Sequence, residues 1–280
     1  MSKGILYIVA TPIGNLMDLS PRAQETLSSV DLVVAEDTRH SQRLLNHFGI
    51  KSRMLSMHEH NEEQRVDYII EMMLDGKSIA QISDAGTPLV NDPGFRLALA
   101  SREAGLEVTA IPGATAPIVA LTLSGLAVDR FSFEGFLPTK QQARERSLQE
   151  LSRENRTMIF FESPRRILAT LEAMSSVFGE ERKVSVAREL TKMHESVHTA
   201  QLVELIEWIQ QDPNRQRGEF VVVVEGAPKQ SEVDSSEAQR IVKLLAEELP
   251  PRKAAAIAAE ITGLKKNALY RMIQLSSEVD

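Results

Sequence analysis

Three strand-then-turn segments in the first 120 residues restrict this chain to an open sheet with loops gathered at one rim. They are I-V-A-T-P-I-G-N (Ile8 to Asn15), Q-I-S-D-A-G-T-P (Gln81 to Pro88) and T-A-I-P-G-A-T-A-P (Thr109 to Pro117). Each passes from an apolar, β-branched run into a turn of Gly, Pro and small residues, where the backbone can approach a ligand closely. In a parallel sheet such turns sit at the carboxyl ends of the strands, where small ligands bind. Three in one domain read as one shared pocket.

Alternation supports the parallel arrangement. Strands are expected at Gly4–Ala10, Asp31–Ala35, Ser78–Ser83 and Leu106–Ile111. Between them lie a helix capped by Ser20 with Pro21 first, a short helix from His40 to Phe48 and one capped by Asn61 running to Leu74. A further helix is expected from Asp92–Pro93 to Gly105. This β-α-β rhythm predicts a mainly parallel, helix-covered sheet. F-S-F-E-G-F-L-P (Phe131 to Pro138) is dense in turn formers and reads as a domain junction. Beyond it, strands at Thr157–Glu162, Lys183–Glu189, Glu195–Gln201 and Glu219–Glu225 predict a second, mixed sheet. Helices are expected from a Ser163–Pro164 cap and over Leu202–Gln211, and a polar linker at Ala227–Ser236 leads to a helical tail. The expected division is 1–132, 133–228 and 229–280.

Composition narrows the chemistry. The 280 residues carry a net charge of -7, so nucleic-acid contact must come from local patches. With no cysteine there is no disulfide, thiolate-bound zinc, iron–sulfur cluster or thiol nucleophile, which suits a cytoplasmic protein. No apolar run approaches the roughly 20 residues that span a bilayer, and Ile5–Ala10 is too short for a signal-peptide core, so no membrane role is expected. Neither G-x-G-x-x-G nor G-x-x-x-x-G-K occurs. The pocket is therefore not organised around phosphates, and Asp84 beside the turns points the same way, since a carboxylate repels phosphate and suits ribose hydroxyls or a cation.

Other clusters have two readings. In A-E-D-T-R-H, Glu36, Asp37 and Arg39 follow a strand; they either orient substrate, with a carboxylate as proton acceptor and the guanidinium on a phosphate, or cap a helix with a local salt bridge. In M-H-E-H-N, His58 and His60 could share a strand face, yet no third ligand lies near, so RNA contact or capping is favoured over metal and none is expected. Lys140, Arg144, Arg146 and Arg153 form a mixed-charge helix read as a solvated face. Pro251 to Arg271 has an excess of four positive charges and helix-turn-helix spacing, with Ala259 and Leu269 inside the helices and Gly263 in the turn. Lys265, Lys266, Asn267, Tyr270 and Arg271 would then face RNA; the alternative is a capping helical hairpin.

Taken together, the turns and two-domain layout resemble the tetrapyrrole methylase superfamily, whose members bind S-adenosylmethionine between two α/β domains. T-P-I-G-N, A-E-D-T-R-H, S-D-A-G-T-P-L-V-N-D-P-G, E-G-F-L-P, F-F-E-S-P-R-R, A-R-E-L-T-K and R-G-E-F-V-V-V-V-E-G narrow it to a resemblance to the 16S ribosomal RNA cytidine 2′-O-methyltransferase family. Where that family usually has P-G-P-(C/S)-A, this chain has P-G-A-T-A-P. The resemblance implies two α/β domains with a helix-turn-helix-like tail, a homodimer and 16S rRNA, in the assembled small subunit, as partner. It also implies that Pro12, Asp84, Ala85, Gly86, Thr87, Val90, Thr115 and Ala116 line the methyl-donor site, met by Glu162, Leu190 and Glu219 from the second domain. Two rivals stay open: a methylase of a porphyrin-like small substrate, and a ligand-sensing nucleic-acid-binding regulator.

Overall fold

The computed structural model describes residues 3–58, 61–228 and 235–276. They form two compact units, one of Met1–Ser152 with Arg156–Glu225 and one of Arg153–Asn155 with Gly226–Asp280.

The larger unit holds two five-stranded sheets. In the first, β1 (Ile5–Val9), β2 (Leu32–Ala35), β3 (Met54–Ser56), β4 (Ile79–Ile82) and β5 (Glu107–Ile111) lie in the order β3-β2-β4-β1-β5, and every pairing is parallel. All residues of β2 and β4 are buried, as a parallel sheet covered on both faces requires. Val33, Ala35, Ala80 and Ile82 face α1 (Pro21–Ser29) and α2 (Thr38–His47). Leu32, Val34 and Ile79 alternate to the other face, against α3 (Glu62–Leu74) and α4 (Phe95–Glu103).

The second sheet is mixed, in the order β6-β7-β10-β8-β9. It contains β6 (Phe131–Phe136), β7 (Thr157–Glu162), β8 (Lys183–Arg188), β9 (Ser196–Gln201) and β10 (Phe220–Val224); β6 runs parallel to β7 and the remaining pairs are antiparallel. One face packs Met158, Phe160, Val184, Val222 and Val224 against α6 (Gln141–Glu150), α7 (Ile167–Phe178) and α8 (Leu202–Gln210). The opposite face takes α5 (Ala116–Leu123): Ala120 and Leu121 pack with Ile159, Val221 and Val223. Thus the helix that follows the third turn braces the second sheet.

Several expectations shift. F-S-F-E-G-F is a bulged strand, the first of the second sheet; its register slips between Phe133 and Gly135, and Gly135 has φ +66°, which hides the strand pattern. The expected boundary at 132/133 falls inside this strand. The helix expected from Asp92–Pro93 starts instead at Phe95, because Gly94 at φ +121° turns the chain first. Ser163–Pro164 opens a turn whose Ser163 carbonyl accepts from the Arg166 and Ile167 amides, and α7 begins at Ile167. Asn61 precedes α3 as expected, but its side chain turns back to accept from the His58 amide at 2.8 Å. Arg144 is buried, contrary to the expectation of a solvated helix face.

The smaller unit contains α9 (Ser235–Glu248), α10 (Pro251–Thr262) and α11 (Lys266–Ser276) around Ala238, Val242, Ala254, Ala258, Leu269 and Ile273. Gly263 closes α10 in the left-handed conformation, φ +71°, as a helix stop requires. Residues 229–234 of the expected linker lie outside the described residues.

Candidate active site

The three turns meet through main-chain and short side-chain bonds. Thr11 and Gly86 exchange amide–carbonyl bonds of 2.9 and 3.1 Å, joining the first turn to the second. The Thr87 hydroxyl donates to the Ala114 carbonyl at 3.4 Å, joining the second to the third. From the second sheet, the loop after β8 comes to meet the first turn, and the Asn15 amide donates to Thr191 Oγ1 at 3.1 Å. A Cβ on Gly14 would lie 2.6 Å from Lys192 Cγ and 2.8 Å from Thr191 Oγ1, so a side chain there would wedge the loops apart.

Between these walls lies a cavity of about 260 Å³. Ala85, Gly86, Thr87, Val90, Thr115 and Ala116 line it from one side; Glu162, Leu190 and Glu219 line it from the other, with Phe136 and Phe161. Among the described residues no Lys or Arg lines it, while Asp92, Glu162 and Glu219 do. Apolar walls, exposed main chain and carboxylates suit a ligand with an aromatic body and positive charge, not a phosphate. The Glu162 side chain is 0% exposed, and its oxygens accept from the Ser163 amide (2.7 Å), the Thr170 hydroxyl (2.6 Å) and Arg166 (3.3 Å). Its carboxylate is spent on structure.

Two cavities adjoin this one. A cavity of about 400 Å³ shares Ile13, Ala85 and Glu219 with it and contains Pro12 and Asp84 with Arg43 and Lys192. Lys192 bridges Glu189 at 3.1 Å and Glu219 at 3.0 Å. Burial pulls the Lys192 pKa down, but the two carboxylates outweigh it and hold the ammonium charged. Burial likewise works against the Glu189 carboxylate, yet the Glu219 amide and Lys192 keep its pKa below the ordinary value. The other cavity contains Glu36, His58 and Glu62 and shares Asn91 and Asp92 with the first. Burial raises the Asp92 pKa against a hydrogen bond from Ser83, and neighbouring Asp84 adds repulsion.

Asp37 and Arg39 line none of these cavities. Asp37 caps α2, accepting from the Arg39 amide at 2.8 Å, and its carboxylate pairs with the Arg39 guanidinium at 2.9 Å. The Arg39 side chain bond comes first among the causes that hold the Asp37 carboxyl far below the usual range, which makes it a weak proton acceptor. The Arg39 side chain is 90% exposed, open to a phosphate.

His60 lies outside the described residues. Lys265, Lys266, Asn267 and Arg271 are exposed in the smaller unit, whereas Tyr270 is half-buried against its core. Asn91, Asp92, Phe95, Phe136 and Lys192 line these cavities without being among the expected site residues. The run N-D-P-G is itself a turn signal and could have exposed the first two.

Residues 5–206 match the family model for Tetrapyrrole (Corrin/Porphyrin) Methylases, and residues 232–276 match the one for the RsmI C-terminal HTH domain. The chain is 54% identical to the Ribosomal RNA small subunit methyltransferase I of Haemophilus influenzae, covering 96% of this chain and 95% of that one. It is 51% identical to the protein of that name from Pseudomonas aeruginosa, over 97% of each chain. Among solved structures, methyltransferase CobJ superposes with a TM-score of 0.60 at 19% identity, covering 81% of this chain and 95% of that one. Cobalt precorrin-4 methyltransferase CbiF gives 0.59 at 17%, covering 79% and 94%. These two likenesses speak for the fold alone.

Proposed function

The chain belongs to the tetrapyrrole methylase family and to its ribosomal RNA small subunit methyltransferase I branch, and on that premise we propose that it transfers a methyl group from S-adenosylmethionine to the ribose 2′-oxygen of a cytidine in the decoding region of 16S rRNA. The observation that carries this reading is the match of body and tail together, at about half identity, to proteins of one name.

The pocket chemistry fits that donor: apolar walls and backbone for a nucleoside, carboxylates for cationic groups and, among the described residues, no lining Lys or Arg to attract a phosphate. When bound, S-adenosylmethionine supplies a methyl group on a sulfonium, whose sulfur leaves as a neutral thioether. Ala85, Gly86, Thr115 and Ala116 would hold it from the first sheet and Leu190 and Glu219 from the second, with Pro12 and Asp84 at the adjoining end. Phe136 and Phe161, ring centroids 5.4 Å apart, keep bulk water off one wall. Asp92, at the border of two cavities, is the group we assign to receive the 2′-hydroxyl proton, and its raised pKa improves it as a base. Glu36 lines the adjoining cavity. Arg39 and the tail cations Lys265, Lys266 and Arg271 would contact RNA phosphates.

The assembled small subunit is taken as the substrate, a homodimer as the working form and the cytoplasm as the compartment. Tritium transfer from labelled S-adenosylmethionine decides the main point, with assembled subunits, naked 16S rRNA and a tetrapyrrole precursor as acceptors. Label in a cytidine ribose supports the reading; label in the tetrapyrrole alone, or none, refutes it. Sedimentation equilibrium reads the dimer.

A further inference from the structure

The cavity beyond Asp92 has a lining of its own. It measures about 670 Å³ and is walled by Glu36, His58, Glu62, Asn91, Asp92 and the segment Pro93–Phe95. Among the described residues neither Lys nor Arg lines it, while three carboxylates do. Glu62 is buried; its Oε1 accepts from the Arg96 amide at 3.0 Å, which fixes the carboxylate at the wall. Phe95, 67% exposed, presents an aromatic ring. Behind Gly94, Gln81 is 2% exposed; its amide donates to the Pro93 carbonyl at 3.0 Å, and its Oε1 has no partner among the described residues. A Cβ on Gly94 would run into Gln81 Nε2, so only glycine leaves room for the amide packed behind this wall.

An acceptor-rich chamber with one flat aromatic face selects a planar ring carrying an exocyclic amine. The amine donates to the carboxylates while the ring stacks on the phenyl group. We propose that this cavity is the seat of the target base, an amino-bearing pyrimidine turned out of the RNA, with its ribose crossing the Asp92 border. The proposal rests on the methyl-transfer reading above and goes past it by assigning base selectivity to Glu36, Glu62 and Phe95. Uracil offers a carbonyl oxygen where cytosine offers the amine, so the carboxylates meet acceptor with acceptor and reject it.

The test uses the full-length protein and small subunits carrying either cytidine or uridine at the methylated position. Wild type is expected to prefer cytidine in kcat/KM by a factor on the order of 30, the discrimination usual for a well-made polar base contact. Glu36→Gln and Glu62→Gln replace an acceptor by a group that also donates; the preference should shrink by about tenfold. Phe95→Ala, at a position 67% exposed, should raise KM for both subunits. Donor affinity by calorimetry should stay within about threefold of wild type in all three. A readout without turnover is NMR titration with the free nucleosides, in which cytidine, and not uridine, shifts the Phe95 and His58 resonances. Equal transfer to cytidine and uridine by wild type would sink the base seat while leaving the methyltransferase reading intact. No transfer to any RNA would remove both.

Discussion

Thr11 and Gly86, 75 residues apart, bond to each other through both amides and both carbonyls, and this pair holds two loops of the pocket at fixed separation. Gly86 has φ +83°, a backbone state that costs other residues about 1 kcal/mol or more. A Cβ there would also lie 3.3 Å from Ile13 Cγ2. Gly86→Ala should therefore lower stability by about 1–2 kcal/mol in urea titration and weaken donor binding in calorimetry.

Gly14→Ala probes the opposing wall. Its Cβ would meet Thr191 and Lys192 and press towards the Leu190 carbonyl at 3.0 Å. Overpacking of this kind costs about 1–3 kcal/mol. The measurement that separates it from Gly86→Ala is salt dependence: displaced Lys192 loses its bonds to Glu189 and Glu219, so the added loss of donor affinity should depend on ionic strength.

Asp92 contributes a pH dependence opposite in sign to that of the paired carboxylates. Burial raises its pKa, so the native state binds this proton more tightly than the unfolded chain does. Its contribution to stability is therefore greatest below the ordinary aspartate pKa of 3.8 and falls as pH climbs from there through the raised native value. Asp92→Asn should melt higher than wild type at neutral pH, the gain vanishing near pH 3. It should cost methyl transfer about 10²- to 10⁴-fold with donor affinity kept, as for loss of a general base. Full activity in that variant would take Asp92 out of the chemistry.

Lys265 and Lys266 are exposed at the start of α11. Changing both to Ala should weaken RNA binding in filter assays and lower the salt slope by about one to two counterions, leaving donor binding unchanged. An unchanged slope means that α11 does not touch phosphate.

Glu162→Ala tests a carboxylate assigned to structure. Removing it strands the Ser163 amide and the Thr170 hydroxyl and leaves the Arg166 charge with only the Leu137 and Pro138 carbonyls; the fold should lose about 3 kcal/mol, read by thermal melting. Glu162→Gln keeps most of those bonds and should lose less.

Legibility in the sequence followed backbone signals. The Gly- and Pro-rich turns marked the pocket, because a turn that approaches a ligand needs residues without bulk. β7 was readable to the residue, since a buried strand is a continuous apolar run. Asp92 was hidden because Asp-Pro imitates a helix start; the left-handed Gly94 delays α4 and leaves Asp92 on the loop between cavities. β6 was hidden by its bulge at Gly135, which interrupts the alternation that identifies a strand. Asp37 was ambiguous for a physical reason: the same carboxylate can cap a helix or take a proton, and its bonds to the Arg39 amide and guanidinium are set by a fold that the sequence does not display.

The stitch between residues 11 and 86 is made by their peptide groups and the Thr11 hydroxyl, so the identities of the neighbouring exposed side chains Ala85 and Val90 are not what keeps the chamber open. Those two positions are thus natural handles for redesign. A library varied there can retune which nucleoside analogue is admitted, for instance one carrying a larger transferable alkyl group, without rebuilding the scaffold.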